Sequence, residues 1–521
     1  AVFQKSPWPP EAFMRSKRKI KKILITNRGE IAVRVQRTCR ELDILTVALF
    51  SDPDRHAPHV RYADEAYHLP GSAPGETYLN QDLILEIAKK CGADAIHPGY
   101  GFLSENAGFA ARCREEGVLF IGPPPGAIEV MGLKTEARRI MQQAGVPVVP
   151  GTEPLDTAEI AARKANEIGY PVLIKASAGG GGKGMRKVEK PGDLESSFEA
   201  CRRESLSAFG DPRVYIEKYL SKPRHVEFQV LGDLHGNIIH LYERECSVQR
   251  RHQKIIEETP SPIVDQDMRQ RMGEVAIEAA RACGYTHAGT VEFLVDADKN
   301  FYFLEMNTRL QVEHPITEMI TGVDLVERQI RISEGEILST DPVSRRGAAM
   351  ECRIYAEDPA NNFLPSPGLV KGLSNPDGPG IRNDSGVYAG FTIPMEYDPM
   401  ISKLVVWGED RNQVLARMLR ALEEYHLLGI RTNIPYLRKI LMHPEFISGD
   451  YDTHFIPRHQ ESLLEPEAEE ADKMEAIALA TAAIIQFTRK DTQNFAGPAA
   501  VQPKASAWKL SGRINTYGSM I

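Results

Sequence analysis

Two apolar runs, THAGTVEFLV and FYFLEMN, stand only five residues apart, with the turn-forming Asp296, Asp298 and Asn300 between them. Apolar runs so closely spaced are expected to pair as an antiparallel β-hairpin. If the loop centres on Asp298 and Lys299, Glu292 lies opposite Glu305. Asn307 then shares their face, while Val291, Phe293, Leu304 and Met306 turn to the other. Like charges directly across a strand pair repel, so the arrangement makes sense chiefly when a divalent cation lies between them. Oxygen-only ligands suit Mg²⁺ or Mn²⁺. A solvated face whose acids keep the hairpin soluble stays open as the alternative, and a one-residue slip would undo the pairing. Just beyond, Arg309, Gln311 and Glu313 alternate and would point the same way in extended chain. An arginine fork and a carboxylate base beside a metal can hold and deprotonate a small oxyanion acid.

A chain of 521 residues, 42% hydrophobic and 26% charged, has room for several domains of ordinary globular composition. A net charge of −8 argues against general polyanion binding, and nucleic acid is not an expected partner. The seven cysteines have no paired spacing for zinc or a redox couple, which fits a reducing compartment. No run approaches the roughly 20 apolar residues of a membrane span. The expectation is a cytoplasmic protein with no membrane partner.

Residues 1–19, Pro-rich and then basic, are set aside as a disordered or tag-like leader. From Lys22 to about residue 122 strand and helix patterns alternate, which predicts a parallel α/β domain, assigned to 20–133. Its first turn, NRGEIA, lacks G-x-G-x-x-G, so a nicotinamide cofactor is not expected. Lys134 opens a helix that Gly145 and Pro147 end, and a lysine at a helix start can hold phosphate. Lys175 ends a strand leading into four glycines, 179 to 182, an ordering cost that makes sense where backbone N–H groups must approach phosphates. The following Lys183-Gly184 does not meet the Walker pattern. Tyr215 to Leu220 can offer edge backbone, and Glu217 its carboxylate, to a purine. Arg244, Arg250, Arg251, His252 and Lys254 crowd one stretch that is either a solvated charge run or an anion pocket. A β-rich region from Ala348 and a long amphipathic helix predict an α+β carboxy-terminal domain, followed by an acidic linker and an apolar docking helix.

The blocks KILITNRGEIAVR, HPGYGFLSEN, ASAGGGGKGMR, RHVEFQV, RECSVQRRHQKIIEETPSP, EMNTRLQVEHPITEMITGVDL and ECRIYAEDP together resemble the biotin carboxylase family of ATP-grasp enzymes. The resemblance covers roughly residues 21 to 457. It implies an ATP-grasp domain over 134–347 with a lid at about 149–207, a carboxy-terminal biotin carboxylase domain over 348–457 and a partner-docking tail over 458–521. The implied reaction is an ATP-dependent ligation: bicarbonate becomes carboxyphosphate, and its carboxyl group passes to biotin on a separate carrier protein. The cofactors implied are ATP, Mg²⁺ or Mn²⁺, and the carrier's biotin. By the match Lys134, Lys175, Gly181 and Gly182 would contact nucleotide phosphates. Glu217, Lys218, Tyr219 and Leu220 would line the adenine pocket, with His225, Gln249 and His252 beside the nucleotide. The metals would sit on Glu292, Glu305 and Asn307. Lys254, Arg309, Gln311 and the backbone of Val312 would bind bicarbonate, Glu313 would be its base, and Arg353 would stabilise the biotin enolate.

No Met-Lys dipeptide occurs in the chain, so the usual biotin attachment site is missing and biotin is expected on another polypeptide. The implied partners are a biotin carboxyl carrier protein and carboxyltransferase subunits, in a homodimer or larger complex. Tyr355 in CRIYAEDP resembles acyl-CoA carboxylase subunits and points to an acyl-CoA acceptor. The enzymatic alternatives are another ATP-grasp carboxylate ligase and a pyruvate carboxylase-type subunit. A silent ATP-binding scaffold would be expected to have lost Glu313, Lys254 or a metal carboxylate, and none is lost.

Overall fold

The computed structural model describes residues 19–177 and 184–465. Most of the expected leader, the four-glycine loop with Gly181 and Gly182, and nearly all of the expected tail lie outside the described residues.

The first region alternates β1 (Lys22–Ile25), α1 (Gly29–Glu41), β2 (Leu45–Phe50), α2 (Pro58–Tyr62), β3 (Glu65–His68), α3 (Gln81–Cys91), β4 (Ala95–His97), α4 (Ala107–Glu115), β5 (Leu119–Phe120) and α5 (Pro125–Gly132). Its strands make a parallel sheet in the order β3-β2-β1-β4-β5, the α/β arrangement expected. Ile23 and Ile25 enter one core cluster and Leu24 another, because successive β1 side chains face opposite helix layers. Asn80 and Asn106 cap α3 and α4 by accepting from backbone N–H groups, so both helices start where the sequence places a capping side chain. Asn27, just past β1, donates to the carbonyls of Pro98 and Tyr100 and ties the first turn to the loop after β4.

α6 (Lys134–Gln143) begins at Lys134, and Gly145 follows its end in the left-handed conformation that favours glycine. α7 (Ala158–Ile168) and α8 (Leu194–Phe209) flank an antiparallel sheet of β6 (Val172–Ala176), β7 (Met185–Val188) and β8 (Val214–Lys218), in the order β7-β6-β8. The second, larger sheet has eight strands. β9 (Arg224–Gly232), β10 (Ile238–Arg250) and β11 (Gln253–Thr259) precede α9 (Gln266–Ala282). β12 (His287–Val295) and β13 (Phe301–Asn307) form the hairpin, and α10 (His314–Thr321) and α11 (Leu325–Ser333) follow it.

The sheet then continues through β14 (Ala348–Tyr355), which pairs with β11. Small pairs follow: β15 (Glu357–Asp358) with β16 (Leu364–Pro365), β17 (Gly368–Leu369) with β20 (Thr392–Ile393), and β18 (Gly372–Ser374) with β22 (His426–Leu428). β19 (Ile381–Ser385) and β21 (Met400–Gly408) complete the large sheet, in the order β13-β12-β9-β10-β11-β14-β21-β19. α12 (Arg411–Glu424), α13 (Ile434–Met442), α14 (Pro444–Ser448) and α15 (Phe455–Leu464) end the described chain. All seven cysteines are free thiols, and among the described residues no helix is long and apolar enough to cross a membrane.

The hairpin reaches the expected register by an unexpected route. Val295 pairs with Phe301 and Phe293 with Phe303, so the loop centres on Asp298 alone. A bulge then leaves Leu304 unpaired, and Glu292 comes to lie opposite Glu305 after all. The same bulge overturns the facing expected for Leu304. It is half-buried and outside the core, whereas Phe303 joins Val291, Phe293 and Met306 in it.

Candidate active site

β9 carries alternating residues to two destinations: Val226, Phe228 and Val230 enter the core, while His225, Glu227 and Gln229 line the opposite face. Strand register then aligns a row of charges across four strands, with Glu305 opposite Glu292, Glu292 opposite Glu227, and Glu227 opposite Arg244. Arg244 is fully buried and donates to Glu227 (2.6 Å), Gln229 (2.7 Å), Thr317 (2.9 Å) and Thr290 (3.1 Å). Such a row survives burial only because every charge finds a partner.

Lys254 is the hub. Its ammonium donates to Glu227, to Glu292 at 2.9 Å and to Glu313 at 2.7 Å. Burial works against the ammonium, but the three carboxylates outweigh it and hold Lys254 well above the usual lysine range. Burial also works against ionisation of Glu292 and Glu313. Lys254 and His225 outweigh it at Glu292, and Lys254, Arg353 and Arg244 outweigh it at Glu313, so both sit below the usual carboxylate range. Arg353 donates to Glu257 at 2.6 Å and to Glu313 at 2.8 Å. Glu257, where burial prevails over Arg353, is pushed up to about 7. Glu313 is the N-cap of α10 yet makes no side-chain cap bond, because its carboxylate is turned to Lys254 and Arg353. Ordinary helix-start chemistry gives way to a buried, ionised carboxylate with two cationic partners.

Arg309, Gln311 and Glu313 do not share a face by strand alternation, as extended chain would require. The chain leaves β13 at Asn307 and turns, with the His314 N–H reaching the Gln311 carbonyl. Arg309 still meets Gln311, donating to its side-chain oxygen at 3.2 Å, while Glu313 is carried to the Lys254 side of the turn. Glu105, from the segment before α4, accepts from Arg309 Nε at 2.7 Å and from the Thr308 N–H at 3.1 Å. The Val312 carbonyl accepts from Lys403 at 2.9 Å.

The expected metal residues stand together. Asn307 donates from Nδ2 to Glu292 at 2.8 Å, and Lys134 at the start of α6 lies 3.7 Å from Glu305. Burial and then the Glu292 charge raise the Glu305 carboxyl, which Lys134 offsets only in part. Two carboxylates and an amide oxygen suit a hard divalent ion, so the donor set fits. Two other buried groups, His225-Glu227-Glu292 and Glu227-Cys246-Glu313, bring ligand atoms within 4.8 Å of one another. The Lys254 ammonium bonds a carboxylate in each and supplies the positive charge there.

Of the expected nucleotide residues, Gln249 meets His225 at 2.7 Å, whereas His252 is exposed at the tip of the β10–β11 hairpin. Glu217 accepts from Lys175 and from Arg138, the latter at 2.8 Å, so its carboxylate is engaged by two cations and is not a free purine ligand. The β8 edge is likewise taken up. The N–H groups of Thr152 and Leu155 bond the carbonyls of Ile216 and Val214, and those of Lys218 and Tyr219 bond the carbonyls of Pro150 and Pro171. Lys218 turns its ammonium to the Gly169 carbonyl at 2.7 Å, and Tyr219 lies beneath Lys187 and reaches His454. Leu220 is half-buried. Glu227, Glu105, Glu257, Arg138 and Lys403 were not singled out as site residues by sequence. The period-2 pattern of RHVEFQV held the signal for Glu227, whose polar face in an otherwise apolar strand needs a partner.

Three family models match in succession along the chain. Residues 19–128 match the family model for the biotin carboxylase N-terminal domain, residues 134–341 that for the carbamoyl-phosphate synthase L chain ATP binding domain, and residues 351–458 that for the biotin carboxylase C-terminal domain. The chain is 54% identical over 445 residues to a pyruvate carboxylase subunit of Methanothermobacter thermautotrophicus, covering 85% of this chain and 90% of that one. It is 50% identical over 478 residues to the alpha chain of the mitochondrial methylcrotonoyl-CoA carboxylase of Dictyostelium discoideum, covering 91% and 68%. Among solved structures, the biotin carboxylase domain dimer of Hydrogenobacter thermophilus 2-oxoglutarate carboxylase, in complex with MgADP, ADP and bicarbonate, superposes with a TM-score of 0.80 at 47% identity, covering 86% of this chain and all of that one.

Proposed function

This chain belongs to the biotin carboxylase family of ATP-dependent ligases, and from that premise we propose how its residues divide the reaction. The carrying observation is Glu313, a buried carboxylate kept ionised by Lys254 and Arg353. Glu313 is the base for bicarbonate. Its pKa is too low for that task while Lys254 is bound to it. A bicarbonate anion that draws the Lys254 ammonium away removes the main stabiliser of the carboxylate, so Glu313 becomes more basic as the substrate arrives. Arg309, aligned by Glu105 and Gln311, and the Val312 N–H hold the anion. Lys134 and Lys175 contact the ATP phosphates, whose charge a divalent ion held by Glu292, Glu305 and Asn307 would neutralise. Attack of the deprotonated bicarbonate on the γ-phosphorus forms carboxyphosphate and releases ADP. The carboxyl group then passes to the biotin nitrogen, the departing phosphate takes up the proton that nitrogen loses, and Arg353 stabilises the charge on the ureido oxygen.

The working unit is taken to be a dimer, with biotin delivered on a carrier outside these 521 residues. An acyl-CoA is the proposed final acceptor, supported by the Tyr355 motif. Similarity does not choose between acceptors, since relatives named for pyruvate and for methylcrotonoyl-CoA match almost equally. Tyr355 itself is buried, its hydroxyl accepting from Gln253 at 3.0 Å, so it marks kinship and does not touch an acceptor. The test is phosphate release measured beside fixation of labelled bicarbonate on free biotin. ATP cleavage that bicarbonate does not stimulate, or that leaves no label on biotin, overturns the reading. The acceptor is tested by which carboxyltransferase co-purifies, and one specific for pyruvate overturns the acyl-CoA assignment.

A further inference from the structure

We propose that Lys403 is a positioning residue for the bicarbonate pocket, fixing the peptide between Val312 and Glu313 while Glu30 of the first domain fixes Lys403. The inference rests on the site reading above.

Lys403 lies in β21 with Arg353 as its partner on one neighbouring strand and Asp384 on the other. It is fully buried, and its Nζ donates to the Val312 carbonyl at 2.9 Å and stands 3.2 Å from a Glu30 oxygen. The held peptide contains ψ of Val312 and φ of Glu313. Those are the two backbone torsions between the Val312 N–H, assigned to bicarbonate, and the side chain of Glu313, assigned as its base. A cation on that carbonyl therefore sets donor and base relative to each other.

Lys403 also lies over the Tyr100 ring at 5.7 Å and acts on the buried Glu351 and Asp384, but among the described residues the one hydrogen bond of its ammonium goes to the Val312 carbonyl. Burying such a charge is costly, and an apolar side chain in its place often packs as well or better. The cost has a purpose if the geometry of this one peptide matters. Glu30 shows the same expense from the other side: it is buried in the first turn of α1, and neither of its oxygens accepts a hydrogen bond, which leaves the Lys403 ammonium as its close cationic partner. Its seat is tight, because a Cβ on Gly386 would stand 2.7 Å from the Glu30 nitrogen. The first domain is thereby coupled to the bicarbonate loop through one ammonium group.

Steady-state kinetics of Lys403→Met, Lys403→Arg and Glu30→Gln, with bicarbonate and ATP varied in turn, test this. Lys403→Met is expected to raise KM for bicarbonate by about 10- to 100-fold, on the analogy of the loss that follows removal of a partner that orients a metal ligand. KM for ATP should change little, and Lys403→Arg should restore part of the loss. Glu30→Gln, which keeps the shape of the site, should raise the bicarbonate KM by a smaller factor. A fall in kcat with both KM values unmoved, or an equal rise of both, assigns Lys403 a merely structural role and overturns the inference. If Lys403→Met does not fold, an unmoved bicarbonate KM in Glu30→Gln overturns it. A wild-type enzyme that fixes no bicarbonate overturns the site reading itself, whereas wild-type turnover with insensitive variants overturns this inference alone.

Discussion

Arg353 donates from Nη2 to a Glu313 oxygen across 2.8 Å, so the residues proposed for the two half-reactions touch each other. Arg353 therefore has an indirect part in the first step, because it helps to hold the Glu313 carboxyl low, second to Lys254 among the charges that do so. Arg353→Gln should retain bicarbonate-dependent ATP cleavage, with the acid limb of its pH profile moved to higher pH. Carboxybiotin formation should fall about 100- to 1,000-fold, the usual loss for one donor to a developing oxyanion. Glu313→Gln should lose both activities together. Equal losses in Arg353→Gln with an unmoved acid limb would show that the two roles are wrongly divided.

The second prediction concerns the facing acids. Glu292 is bonded by Lys254 and Asn307, whereas Glu305 has Lys134 at 3.7 Å as its nearest cation. Replacing either acid by Gln should raise the Mg²⁺ concentration needed for half-maximal ATP cleavage by about tenfold or more. Glu292→Gln should be the worse of the two, since it also releases a bond to Lys254. Mg²⁺ titrations of both variants that overlay the wild type would rule out a shared metal site.

Legibility in the sequence followed the range of the interaction. The hairpin was readable because alternation and turn residues are local. Its register came out as expected only because an odd loop and the Leu304 bulge offset each other, and a bulge has no reliable local signature. The turn that moves Glu313 away from Arg309 and Gln311 was hidden for a related reason: Glu313 is drawn to Lys254, 59 residues away, and to Arg353, 40 residues away. Glu105, 204 residues before Arg309, had no signal beyond lying in the GFLSEN block. The pairing of β11 with β14 was equally invisible, since nothing in either strand names its partner.

His59 gives a third prediction, on stability. It is fully buried beside β2, its ring nitrogen at 3.2 Å from the Leu49 carbonyl, and burial pushes its pKa down to about 4. A histidine that titrates near 6.5 when unfolded and near 4 when folded binds more protons in the unfolded state between those values. Its contribution is complete above pH 6.5 and is lost as pH falls toward 4. The loss across that window is of order 2–3 kcal/mol. In urea unfolding, the stability of wild type relative to His59→Gln should therefore fall by that amount between pH 7.5 and pH 4. A difference constant with pH would mean that His59 does not stay neutral in the folded chain.

Glu105 supplies the last prediction, because two effects at Arg309 oppose each other. The carboxylate holds the Arg309 side chain by Nε and bonds the Thr308 N–H, which fixes the start of the bicarbonate loop. It also offsets part of the positive charge that bicarbonate would meet. The Glu105 side chain is 40% exposed and that of Arg309 20%, so solvent screens the charge effect to roughly 0.2–1 kcal/mol, or less than about sixfold in binding. The Thr308 N–H and Arg309 Nε bond different carboxylate oxygens, so Glu105→Gln keeps an acceptor for only one of them and should raise the bicarbonate KM less than loss of both bonds does. Glu105→Ala removes both bonds and frees the arginine to leave its alignment with Gln311. Its bicarbonate KM should rise about tenfold or more, beyond what charge alone can account for. Equal bicarbonate KM values for the two variants would show that Glu105 acts by charge, or not at all, and would remove it from the set of residues that shape the pocket.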